Sequence, residues 1–172
     1  FCLFICIAQF AQPLQNCIIV PGKGCGTITL GASRQQMETL FGKNLENAAP
    51  NGVSMLFDAN GFVKQLGFHF SESPYIIGDQ PSVFKGQLEH SLNAKSTIEQ
   101  FIQVYGTPVS RKNEEFIGTA TTILNFNGMD VFFADNVLSH VVIKPGGMLA
   151  DAKVKPVEYD PEAVTIDFDK LY

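Results

Sequence analysis

The stretch ITLGASRQQMETLFG, residues 28–42, is met again in outline 64 positions later as LNAKSTIEQFIQVYG, residues 92–106. At that offset Ser33 falls on Thr97, Gln36 on Gln100, Met37 on Phe101, Leu40 on Val104, Phe41 on Tyr105 and Gly42 on Gly106. Each copy opens on hydroxyl side chains able to cap a helix by accepting a bond from an early backbone N–H. In the second copy Glu99 follows Ser96 by three residues, the spacing of a capping box. Met37, Leu40 and Phe41, and likewise Ile98, Phe101, Ile102 and Tyr105, recur at the spacing that gathers side chains on one helical face. A Gly ends each copy, where the last turn closes without Cβ strain. The pattern predicts two short amphipathic helices, neither stable alone in water.

After each predicted helix the period changes from about 3.6 to 2. In the first copy VSMLF (53–57) leads through Asp58-Ala59-Asn60-Gly61 into FVKQLGFHF (62–70), and Asn-Gly supplies the positive φ of a hairpin turn. In the second, TTILNF (121–126) turns at Asn127-Gly128 into MDVFF (129–133), and Ala134-Asp135-Asn136 turns into VLSHVVI (137–143). Phe62, Leu66 and Phe68 align with Val137, Val141 and Ile143 on one face; Val63, Gln65 and Gly67 align with Leu138, His140 and Val142 on the other. The fold class expected is α+β: two tandem helix-plus-antiparallel-strand repeats forming a shared sheet with helices on one face. The domain reading is residues 13–78 for the first repeat, 79–148 for the second, and 149–172 for a tail with six acidic residues against three Lys. Within that tail only VTIDF (164–168) has the make-up of a strand.

At 172 residues, 45% apolar and 17% charged, the chain has material for a folded core filled by Phe and aliphatic residues. A net charge of -5 with its basic residues scattered argues against nucleic acid as a partner. FCLFICIAQFAQ is uncharged and too short to cross a bilayer. Residues 1–12 read as a truncated signal peptide with a small-x-small site at Cys6-Ile7-Ala8; the competing reading is a buried N-terminal strand. Leu14-Gln15-Asn16-Cys17 starts like a lipobox, but Gln and Asn are too polar before the Cys. Loss of the leader removes Cys2 and Cys6 and leaves Cys17 and Cys25, an even pair expected to form a disulfide in an oxidising compartment. The localisation expected is secreted or periplasmic, without stable membrane insertion after cleavage.

Residues Ile28, Gly31, Ala32 and Ser33, with the helix closing at Gly42, resemble the lead-and-helix signature of exported tandem-repeat proteins. These are the beta-lactamase inhibitory protein and the small outer-membrane lipoproteins of the barrel-assembly machinery; immunity-type binding proteins carry similar units. The second copy keeps Ser96, Thr97 and Gly106 and has Lys95 in place of the lead Gly. The resemblance implies a non-enzymatic scaffold that binds another protein through a sheet face or a hairpin tip. It points to Asp58 and Asn60 at the 58–61 tip and to Gln65, His69 and His140 on the helix-free face. The aromatic binding surface of the inhibitory protein is missing, so lactamase inhibition is not carried over.

No phosphate loop is present, since GKGCG (22–26) lacks the required spacing, and no GxSxG, HExxH or paired CxxC occurs. No metal and no cofactor is therefore expected. His69 and His140 fall at strand positions from which they can approach each other across the sheet; the alternatives are two polar residues on a half-exposed face, or a small-ligand binder or hydrolase using both. Asp58 and Asp135 sit where Asp commonly bonds its local backbone. His90 reads as a solvated residue, Glu114-Glu115 as a loop, and Phe132-Phe133 as one core ring and one partly exposed ring. The function expected is a non-enzymatic exported protein-binding module. The alternative is an envelope assembly or structural factor docking by strand addition through 164–168.

Overall fold

A computed structural model describes residue 14 and residues 16–71, 81–116 and 118–146. The proposed leader (1–12), Cys2 and Cys6, the start of the inter-copy linker and the acidic tail with 164–168 lie outside the described residues. The elements run β1 (Ile18–Val20), β2 (Gly24–Cys25), β3 (Ile28–Thr29), α1 (Arg34–Phe41), β4 (Val53–Phe57), β5 (Val63–His69), β6 (Gln87–Leu88), α2 (Ile98–Tyr105), β7 (Ser110–Phe116), β8 (Thr119–Phe126), β9 (Met129–Ala134) and β10 (Val137–Ile143). They form an α+β structure with two helices and two sheets. The smaller sheet has the order β3-β2-β1-β6, and the larger β4-β5-β10-β9-β8-β7. All strand pairs are antiparallel except β1 with β6.

Both helices start on reciprocal caps. Gln36 N–H donates to Ser33 Oγ while Ser33 N–H donates to Gln36 Oε1; Thr97 and Gln100 make the same exchange. The box expected at Ser96 and Glu99 thus lies one residue further on. Ser96 Oγ instead accepts from Asn93 N–H, bracing the turn before the helix. Gly42 and Gly106 close the two helices at φ 84° and 80°.

The face of the larger sheet that holds the core carries Leu66, Phe68, Leu124, Phe126, Met129, Val131, Phe133, Val141 and Ile143, all buried. Phe101 of α2 meets Phe133 edge-on at 5.5 Å and Tyr105 leans on Phe126 at 5.6 Å, so α2 packs against this face. Burial pushes the Tyr105 hydroxyl up to about 12. Met37 and Phe41 of α1 enter the same core, as do Ile19, Cys25, Ile28 and Leu88 of the smaller sheet. The two sheets are also joined through backbone. Gly22 N–H donates to Gly128 O at 3.0 Å, and a Cβ on Gly128 would stand 2.7 Å from Gly22 N, so this crossing requires glycine.

Two bulges correct the expected face assignment. Leu56 pairs with Gln65 but Phe57 with Val63, so Lys64 is extra in β5. Leu138 pairs with Phe133 but His140 with Phe132, so Ser139 is extra in β10. An extra residue resets the alternation. Val63 and Leu138 therefore enter the core, while Phe62 and Val137 are 45% and 53% exposed. A second correction concerns Glu114 and Glu115, which belong to β7 rather than to a loop.

Candidate functional site

On the other face of the larger sheet, antiparallel pairing of β5 with β10 sets His69 directly opposite His140. Pairing of β9 with β10 sets Phe132 beside His140. The three rings form a stack: His140 lies 4.1 Å from Phe132 at 12° between planes, and 5.4 Å from His69 at 24°. Ser54 of β4 stands 3.0 Å from His69 Nε2 through its Oγ, and Ser139 Oγ stands 3.1 Å from His140 Nδ1. Gly67 makes the first contact possible, because a Cβ there would fall on Ser54 Oγ.

The two imidazoles are only 5% and 7% exposed. Burial disfavours the charged ring, so His69 titrates below its ordinary value; burial and then the neighbouring His69 bring His140 down to about 3. Both are neutral at physiological pH. His69 Nδ1 is buried without a hydrogen-bond partner. Among the described residues, no group of three or more His, Cys, Asp or Glu side chains is placed to hold a metal ion.

Around the stack the face opens to solvent. Leu56, 49% exposed, lies opposite Gln65. Ser54, Leu56, Gln65, Gly67 and Val142 line a shallow depression of about 180 Å³. Towards β9, Asp130 receives both a two-oxygen ion pair from Lys144 at 2.7 and 2.8 Å and a hydrogen bond from Asn125. At the hairpin tip Asp58 Oδ1 accepts from the N–H groups of Asn60 and Phe62, each at 2.9 Å, while the Asn60 residue is exposed. Asp58 thus builds the turn, and Asn60 is the side presented. At the other tip Asp135 instead reaches the neighbouring strand, its Oδ1 accepting from Ala120 N–H of β8 at 3.2 Å.

The structure therefore brings Gln65, His69 and His140 onto one face and leaves Asp58 and Asn60 at its hairpin end. Sequence reasoning did not pick out Ser54 or Ser139. Ser54 was legible as a same-face neighbour in VSMLF, but Ser139 reaches His140 from the bulge, which no alternation pattern announces. Phe133 is the core ring and Phe132 the half-buried one, as expected.

Cys17, just before β1, and Cys25, in β2, form the expected disulfide, with Cα atoms 5.7 Å apart. Such a bond marks an oxidising, extracytoplasmic setting. No described helix is long and apolar enough to cross a membrane. These features define the class: an extracytoplasmic α+β protein whose larger sheet has one face in the core.

No family model and no curated protein sequence matches the chain. Among solved structures it is similar to a DUF4309 family protein (YjgB) from Bacillus subtilis subsp. subtilis str. 168, with 13% identity and a TM-score of 0.45. The match covers 72% of this chain and 88% of that one. This finding overturns the resemblance to the beta-lactamase inhibitory protein and the barrel-assembly lipoproteins, since the match runs to neither. The physical reason is the brevity of the signature: a hydroxyl cap, one amphipathic helix of two turns and a closing Gly serve any fold that needs a short capped helix.

Proposed function

We propose that the chain is a non-enzymatic, exported protein-binding module of two tandem helix-plus-strand units, secreted or periplasmic. It engages its partner through the helix-free face of the larger sheet and the 58–61 tip. The observation that carries the binding reading is the make-up of that face. Exposed Leu56 and half-buried Val142 and Phe132 are set among Ser54, Gln65 and Asp130, an apolar centre with a polar surround. His69 and His140 act from beneath, as neutral struts that fix Ser54 and Phe132.

The tandem reading is supported by matching irregularities. The helices begin at Arg34 and Ile98 and carry the same caps at the same offset of 64. Gly26 and His90, equivalent at that offset, hold φ 58° and 56°. A left-handed His is costly enough that its coincidence with a Gly in the other copy favours common descent of the backbone. The bulges at Lys64 and Ser139 fall at aligned positions of the two last strands.

A hydrolase reading draws on the approach of Ser54 Oγ to His69 Nε2. It is disfavoured because His69 Nδ1 has no partner to orient the ring, the role a third group plays beside a working Ser–His pair. Nucleic acid as a partner is disfavoured by the acidic balance and scattered basic residues.

The test is site-specific photo-crosslinking in the native exported fraction. Probes at Leu56 and Asn60 are expected to trap one common protein that a probe at Gln35, on the exposed side of α1, does not. Equal trapping from all three positions, or from Gln35 alone, sinks the proposed surface.

A further inference from the structure

We infer that the chain pairs with a second copy of itself along the outer edge of β7, antiparallel, joining two larger sheets into one. Among the described residues β7 is the outermost strand of its sheet, with β8 on one side only. Alternate backbone N–H and C=O groups of an edge strand point away from its neighbour, which is the bonding pattern an added strand needs. Seven residues pair in unbroken register with β8, so the edge is straight enough to receive one.

The sequence of that edge selects the occupant. Arg111-Lys112-Asn113-Glu114-Glu115 is two cations, a neutral residue and two anions, and all but half-buried Glu114 are exposed. In an antiparallel pair of identical strands that keeps each sheet face on its own side, the two-fold axis passes between the two copies of one residue. Centred on Asn113, it sets Arg111 opposite Glu115 of the second copy and Lys112 opposite Glu114, each twice by symmetry. The neighbouring centres set Lys112 against Lys112 or Glu114 against Glu114. Opposite charges across strands stabilise and like charges repel, so the pattern selects one register.

Charged side chains on an edge ordinarily prevent pairing. A self-complementary order of charges does so against other strands and other registers while admitting its own copy. Within one chain Lys112 already pairs with Glu114 on the same face. In the dimer these two pairs lie side by side as an alternating square. The other outer strand, β4, is VSMLF and has no charge to fix a register.

The contact is small and polar, so it belongs with weak, transient associations. The experiment is sedimentation equilibrium of the full chain from about 10 μM to about 1 mM, the range such a contact calls for. Three proteins are compared: wild type, R111E/K112E and E114K/E115K. Wild type is expected to dimerise, each variant to associate at least tenfold more weakly, and their equimolar mixture to recover association. The mixture joins an all-acidic edge to an all-basic one, and added salt weakens it. Circular dichroism checks that the substitutions leave the fold intact; should either double variant unfold, the single pair R111E and E115K, both at exposed positions, repeats the swap with one charge each. A wild type that remains monomeric, variants that associate as wild type does, or a mixture that does not recover overturns the inference. A dimer that appears only after removal of residues 149–172 also overturns it, because the chain's own tail is then the occupant of the edge.

Discussion

The two halves of the described molecule share a helix and differ in the sheet. The first half sends two strands into the larger sheet, β4 and β5; the second sends four, β7 to β10. Caps, helix length and closing Gly agree between the halves, and so do the bulges in β5 and β10, the strands that meet at the seam. What differs is the distance from that seam. Near it, burial of Leu66, Phe68, Val141 and Ile143 leaves little freedom, whereas β7 at the edge is polar along most of its length. The comparison teaches that the paired centre is constrained by the core and the edges are available for other use.

Two paired substitutions, one double replacement and one pH series test how far the halves are alike. The largest effect is expected from Phe101→Ala and Phe41→Ala, which empty fully buried sites on α2 and α1. Each should cost about 3–5 kcal/mol in urea denaturation. A loss confined to one helix breaks the equivalence of the halves. Next, replacing Cys17 and Cys25 together with Ser should cost about 2–3 kcal/mol, the unfolded-chain entropy released by opening so short a loop. That loss belongs to the smaller sheet, so the helix substitutions should cost the same with or without it, as a double-mutant comparison would reveal.

The pH series addresses the seam. The folded-state values of His69 and His140 lie below the ordinary 6.5, so their contribution to stability is fully present above pH 6.5. It is lost as pH falls below 6.5, because the unfolded chain takes up protons first. With His140 near 3, this one residue should cost about 2 kcal/mol by pH 5. His140→Phe should flatten that slope in denaturation measured from pH 7 to pH 5. An unchanged slope would place the buried charge cost elsewhere.

Smallest are the caps. Ser33→Ala and Thr97→Ala should each cost about 1 kcal/mol of thermal stability, by equal amounts if the halves use their boxes alike.

The helices were legible in the sequence because a capped, amphipathic two-turn helix is a local object: Ser33, Met37, Phe41 and Gly42 suffice to announce it. The five strands of the three hairpins, β4–β5, β8–β9 and β9–β10, were legible for a similar reason, their period-2 pattern being bounded by Asn-Gly and Asp-Asn turns. β7 was not legible. SRKNEEF has no alternation, and it is a strand only because β8 offers an edge to pair with. The smaller sheet was missed too, since strands of two or three residues are shorter than any period that reveals them. At the candidate site, alternation was enough to put Gln65 and His140 on one face, while the resemblance supplied the reading of them, with His69, as binding residues. Ser139, and the change of sides by Val63 and Leu138, were not legible, because a single bulged residue reverses the count.

The sequence alone determined the parts whose causes lie within a few residues: two capped helices, the tight turns, and a cysteine pair close enough to bond. Which strands became neighbours, and hence that His69 faces His140 under Ser54 while Phe132 stacks beside them, depends on long-range packing. Register is fixed by bulges and by burial against distant helices, and these are energies of the assembled chain, absent from any short stretch of it.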